Sequence, residues 1–145
     1  MMAKIAVVFW SGSGNTEAMA NAVVEGVKKG GAEAELIRVG DFSADRIADY
    51  DGVLMGCPAC GTEELDEGEF EPFFAEAESQ LKDVKVGLFG SYGWGGGAFM
   101  ETWTQRTKDA GATMVADGVT CENEPDDDAL AACTALGEAM AKAVG

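Results

Sequence analysis

The chain has 145 residues, 47% of them apolar, which is enough for one domain with a full core and too few for two of typical size. Its 26 acidic residues against 10 basic ones give a formal charge of −16, so nucleic acid and anionic membrane are poor partners and a basic protein surface is a good one. There is no histidine, which excludes Ser-His and Cys-His nucleophiles together with the commonest metal ligand.

The apolar run 4–10 predicts a strand buried on both faces. It runs into Ser11-Gly12-Ser13-Gly14-Asn15-Thr16, after which Met19, Val23 and Val27 fall four apart and predict a helix stopped by Gly30-Gly31. A strand, a hydroxyl- and glycine-rich turn and a helix start make an anion site. The first helical N–H groups have no intrahelical acceptor, and the helix dipole favours negative charge there. Gly12 and Gly14 let the backbone close round a phosphate, and Ser11, Ser13 and Thr16 add hydroxyls. An ordinary strand-to-helix turn with a Ser or Asn cap shares this local pattern. No Lys follows Gly14, as a P-loop requires, and Glu17 stands where the dinucleotide fingerprint needs its third Gly. A terminal monophosphate remains.

Residues 33–39 alternate in polarity and predict an edge strand, followed by a short helical turn over 43–48 and a second buried strand over 52–57. Phe70, Phe73, Phe74, Ala77 and Leu81 share one helical face, with Pro72 suited to the first turn. Residues 84–90 predict a further buried strand, and Phe99, Met100 and Trp103 begin a helix that Gly111 ends. The partly polar stretch 112–121 predicts the other edge strand. Pro125 and Asp126 to Asp128 open a last helix that carries Leu130, Cys133, Leu136, Met140 and Val144 on one side. This alternation predicts a single α/β domain over 1–145, a doubly wound five-stranded parallel sheet with helices on both faces. Buried first, third and fourth strands between wetter second and fifth strands match the order 2-1-3-4-5. No apolar run reaches membrane length, and Lys4 with the short apolar run ending at Trp10 is too short for a signal peptide, so the four cysteines (57, 60, 121 and 133) are expected as thiols in the cytoplasm.

Ligands of such sheets sit at the carboxyl ends of the strands. Besides the phosphate turn, Cys57-Pro58-Ala59-Cys60-Gly61-Thr62-Glu63 follows strand three and Gly90-Ser91-Tyr92-Gly93-Trp94-Gly95-Gly96-Gly97 follows strand four. A Tyr and a Trp in a glycine-rich loop can stack on a flat ligand, although a plain surface loop has the same composition. Phosphate turn and aromatic loop together point to an aromatic mononucleotide.

Trp10 to Glu17, Gly56-Cys57-Pro58-Ala59, Glu69-Phe70-Glu71-Pro72-Phe73, Leu88 to Gly95 and Asn123-Glu124-Pro125-Asp126 resemble a flavodoxin of the short-chain class, along essentially the whole chain. Flavodoxins are themselves a standing example of the 2-1-3-4-5 order. The resemblance implies one FMN, bound without covalent linkage, in a low-potential carrier that shuttles single electrons between redox proteins through semiquinone and hydroquinone states. It implies that Ser11, Gly12, Ser13, Gly14, Asn15 and Thr16 hold the phosphate with help from Ser91, and that Trp10 covers their loop. Trp94 would stack on the isoalloxazine, with Tyr92 and Gly93 along its edge. Glu63 would accept from flavin N3, the Gly61-Thr62 peptide would meet N5, and Asn123 would lie near the ribityl chain. Pro58, Ala59, Cys60 and Gly95 complete the set, with Cys60 where similar proteins often carry Met. The expected protein is a monomer that docks on basic surfaces of its redox partners.

Two tasks follow for such a carrier. Gly61 allows a peptide flip toward N5, since Gly crosses to positive φ without penalty, although a Gly that only closes a turn looks the same in sequence. No Lys or Arg in the phosphate loop compensates the phosphate, and Glu63, Glu64, Asp66, Glu67 and Glu69 follow Gly61 closely in sequence. Each added negative charge at about 10 Å costs roughly 1 to 2 kcal/mol at an effective dielectric near 20, which lowers the second reduction potential. Two rivals share the residues. An FMN quinone reductase on this fold would need inserted segments over the flavin. A thiol oxidoreductase would use Cys57 and Cys60, but that pair follows a strand rather than opening a helix, where a thiol is activated. An iron–sulfur or zinc site from the four cysteines is weaker, because Cys133 lies on an apolar helix face. A signalling receiver would want an Asp where Phe9 and Trp10 stand.

Overall fold

Alternate side chains of β1 (Lys4–Phe9) enter two different cores. Ile5, Val7 and Phe9 face one side of the sheet, and Ala6 and Val8 the other, as the two-residue period of a strand requires. The computed structural model describes residues 3–11, 14–59, 65–66, 68–93 and 98–144. All its strand pairs are parallel. β2 (Glu33–Arg38) lies at one edge, then β1, β3 (Gly52–Gly56) and β4 (Lys85–Tyr92). The fifth position is filled by two segments that both pair with β4, β5 (Thr113–Met114) and β6 (Val119–Glu122). The sheet therefore has the expected order 2-1-3-4-5.

The first core lies under α1 (Asn15–Lys29) and α4 (Asp127–Val144), with Met19, Val23 and Val27 meeting Cys133, Leu136 and Met140. These two helices approach almost to backbone contact. A Cβ on Gly26 would stand 1.9 Å from the Thr134 carbonyl oxygen, and one on Gly137 would stand 2.2 Å from that of Val23. The second core lies under α2 (Phe70–Ala77) and α3 (Ala98–Asp109). There Trp103 receives Phe70 and Phe74 edge-on, at centroid distances of 5.4 and 5.9 Å. Two 3-10 segments, Val39–Asp41 and Ala44–Asp49, make the crossing from β2 to β3 and bury Val39, Ala44 and Ile47 in this core.

Two strands differ from the sequence reading by more than a single end residue. The last strand is not continuous over 112–121: after a final bond from Val115 N–H to Val86 O at 3.0 Å, residues 116–118 leave the ladder and the pairing resumes at Val119. Gly118 lies against Met100, whose sulfur would be 2.6 Å from a Cβ there, so the chain passes over α3 at this point. β4 extends to Tyr92, because Ser91 and Tyr92 pair with Cys121 and Glu122 of the resumed strand.

Candidate functional site

Parallel strands bring their carboxyl ends to one side. Here the registers align Phe9 with Gly56, Gly56 with Phe89, and Ser91 with Cys121. The ladder continues past the strands: Trp10 N–H donates to Gly56 O at 3.0 Å, Cys57 N–H to Phe89 O at 3.1 Å and Ala59 N–H to Ser91 O at 2.9 Å. The three loops singled out in sequence thus leave the sheet side by side.

Gly14 caps α1 in the left-handed conformation (φ 94°), which a side chain would strain. Its carbonyl accepts the first intrahelical bond, from Ala18 N–H at 3.0 Å. Ser11 Oγ accepts from Gly14 N–H at 3.0 Å and from Glu17 N–H at 3.3 Å, which leaves its proton to donate outward. Thr16 and Ser91 are both buried, and their hydroxyl oxygens lie 3.3 Å apart. The turn after β1 is therefore built of backbone N–H groups and hydroxyls at a helix N-terminus. Arg38, at the end of β2, is engaged by Glu17 at 3.6 Å and lies over the Phe9 ring. This donor set, with no cation among its own residues, fits a monoester phosphate.

On the far side, Tyr92 is half-buried against the second core, and Asn123 N–H donates to Tyr92 O at 2.7 Å. Asn123 itself sits in the left-handed region (φ 58°), which Asn tolerates better than most residues, and its side-chain oxygen comes within 3.6 Å of a Cβ placed on Gly93. The strand-four turn and the chain after β6 are joined there. Gly12, Ser13, Cys60, Gly61, Thr62, Glu63, Trp94 and Gly95 lie outside the described residues, as do Glu64 and Glu67.

Three contacts were not anticipated. Trp10 Nε1 donates to Glu69 Oε1 at 3.2 Å, tying the phosphate turn to the start of α2. Asp66 Oδ2 accepts from Glu69 N–H at 2.7 Å and from Phe70 N–H at 3.0 Å, and Asp66 O accepts from Glu71 N–H at 2.8 Å. The spacing Asp66-x-x-Glu69 before an apolar run is the signal that could have revealed this cap. Asp66 N–H in turn donates to Cys57 Sγ at 3.4 Å.

The described thiols are buried or half-buried. Cys57 is buried and continues the β3–β4 ladder, at a strand end and not on a helix. Burial pushes the Cys133 thiol up to about 12, with the neighbouring Cys121 adding to it. Burial and then Asp126 raise Cys121. Among the described residues no group of three or more His, Cys, Asp or Glu could hold a metal ion, and no helix is long and apolar enough to cross a membrane. An open groove of about 1040 Å³ lies beside α3 and β5, lined by Met100, Thr104, Lys108 and Met114 among others, and among the described residues it shares none with the strand-end loops.

The sequence profile described as flavodoxin matches residues 7–137. The chain is 51% identical to a flavodoxin of Megasphaera elsdenii over 139 residues, 96% of this chain and 99% of that one. It is 40% identical to a flavodoxin of Clostridium beijerinckii over 121 residues, 83% of this chain and 88% of that one. Its fold superposes on the solution structure of two-electron reduced Megasphaera elsdenii flavodoxin with a TM-score of 0.87 at 48% identity, covering 95% of this chain and 98% of the other.

Proposed function

The chain belongs to the flavodoxin family, and from that premise we propose how its own residues serve the family's work. Flavodoxins bind FMN and transfer electrons to redox partners rather than act as catalysts on a substrate of their own; so does this protein. When bound, FMN supplies two successive one-electron couples.

The observation that supports the cofactor's position is the convergence of Ser11, Gly14, Thr16 and Ser91 at one end of the sheet. Ser11 to Thr16 hold the phosphate through N–H and O–H groups, with Ser91 steadying Thr16. Trp10, tethered to Glu69, shields that turn. Tyr92, Gly93, Trp94 and Gly95 present the aromatic wall, and Asn123 fixes that wall's edge through its bond to Tyr92. Pro58, Ala59, Cys60, Gly61, Thr62 and Glu63 line the opposite side, with Gly61-Thr62 toward N5 and Glu63 toward N3. The whole of 1–145 acts as one domain.

The charge of −16 suits a monomer that docks on basic surfaces of its partners in the cytoplasm. The test is spectroscopic. Purified protein should show flavin bands with one FMN per chain, and stepwise reduction should pass through two resolved one-electron stages. A colourless protein that fails to take up FMN, or a single two-electron step, would sink the reading. Rates of electron transfer to a basic partner should fall as salt rises, and sedimentation should report one chain.

A further inference from the structure

We propose that Glu69 is a positioning residue that favours the phosphorylated cofactor: its carboxylate fixes the Trp10 indole, and with it Ser11, before FMN arrives. The inference rests on the functional reading above, which puts the FMN phosphate beside Ser11.

Trp10 is held at two points. Its N–H continues the ladder to Gly56 O at 3.0 Å, which places the backbone. Its side chain lies half-buried against the core under α2, and Nε1 donates to Glu69 Oε1 at 3.2 Å, which places the ring. Ser11 follows directly, and its Oγ accepts from Gly14 N–H at 3.0 Å and from Glu17 N–H at 3.3 Å. The residue that organises the start of α1 thus has a neighbour anchored to the start of α2.

Glu69 is itself fixed. Its N–H donates to Asp66 Oδ2 at 2.7 Å, and its carbonyl accepts from Phe73 N–H at 3.3 Å. Asp66 supplies the cap of α2, so the Glu69 carboxylate is not drawn back onto its own helix. Its other oxygen lies against the 3-10 segment Val39–Asp41, where a Cβ on Gly40 would stand 2.8 Å from it. Among the described residues no Lys or Arg pairs with it. Beside a phosphate site such a charge by itself works against the ligand, so any gain it gives must come through the indole bond.

That gain is preorganisation. A Trp side chain left loose loses rotamer freedom when a ligand orders it, and the loss subtracts from affinity. An indole already bonded to Glu69 has little left to lose. Riboflavin, which has no phosphate to place beside Ser11, should gain nothing.

The experiment compares Glu69→Gln with Glu69→Ala. Both remove the charge, and only Gln keeps an acceptor for the indole N–H. Affinities of the apoprotein for FMN and for riboflavin are read by fluorescence titration, and exchange of the Trp10 indole proton by NMR. FMN should bind Glu69→Ala about fivefold or more weakly than Glu69→Gln, with riboflavin affinities within about twofold of each other. The indole proton should exchange about threefold or more faster in Glu69→Ala. Glu71→Gln, which removes a charge from the Arg106 pair instead, should leave the ratio of FMN to riboflavin affinity within about twofold of wild type. A smaller FMN difference, a parallel loss for riboflavin, an unchanged indole exchange, or a larger change of that ratio in Glu71→Gln overturns the proposal. Wild-type protein that takes up neither flavin defeats the functional reading, and this inference with it.

Discussion

The hydroxyls of Thr16 and Ser91, 75 residues apart in sequence, meet at 3.3 Å in a buried position between the start of α1 and the end of β4. A hydroxyl left there alone pays the full desolvation cost, about 1–3 kcal/mol, whereas losing both costs less than the sum. Thr16→Val and Ser91→Ala should each lower the urea midpoint of the apoprotein, with the double variant less destabilised than the two added together. Both single variants should weaken FMN binding about tenfold or more in a fluorescence titration, as expected for about 1.4 kcal/mol. Strict additivity in both measurements would show that the two hydroxyls act apart.

Asp66 is a structural carboxylate within an otherwise acidic rim. Because it caps Glu69 and Phe70 N–H, Asp66→Ala should destabilise the fold by about 1 kcal/mol, measured by urea denaturation. Replacing Glu64 and Glu67 by Gln should leave that midpoint nearly unchanged. It should instead raise the potential of the second couple and flatten the salt dependence of electron transfer.

Acid should weaken the protein partly through Glu35. The Tyr50 hydroxyl and then Lys4 hold its carboxyl below the ordinary 4.5. The Tyr50 bond is 2.5 Å and the Lys4 pair 3.2 Å. A carboxylate depressed in the folded state binds fewer protons there than in the unfolded chain. Its contribution is therefore complete above 4.5 and disappears as pH falls through the lowered folded value. Glu35→Gln should be less stable than wild type near neutrality and converge on it in acid. Urea midpoints of both proteins between about pH 3 and 7 check this, and a difference independent of pH would refute it.

Gly26→Ala sets two effects against each other. Alanine in mid-helix gains about 1 kcal/mol over glycine. The new methyl would lie 1.9 Å from the Thr134 carbonyl, however, and a backbone neighbour cannot swing aside. Overpacking of this kind costs about 1–3 kcal/mol or more, so the clash wins and the melting temperature should fall. A rise would mean that α1 and α4 can separate without loss.

The helices were legible wherever one apolar face repeated: Met19, Val23 and Val27 in α1, and Phe70, Phe73 and Phe74 in α2, are all buried as their spacing required. The edge position of β2 was legible from its alternation, because the helices that cover the sheet's faces reach an edge strand only in part. The break in the last strand was not, since it depends on how Met100 of α3 fills the space at Gly118. The phosphate turn was readable because it is local: Ser11, Gly14 and Glu17 interact within a few residues. The bonds from Trp10 to Glu69 and from Asp66 to Cys57 cross between loops, and no periodicity within one segment encodes them. Their residues were read only as cover, acid and core.

The two borders of the sheet bear on how the protein behaves in a crowded solution. One border, β2, exposes Glu33 and Arg38, and the other is broken into Thr113–Met114 and Val119–Glu122. Charge beside the exposed Leu36 on one side and interruption on the other weigh against the pairing of a second copy's strand along either border. Strand-to-strand growth of one copy on the next is thereby disfavoured at both borders.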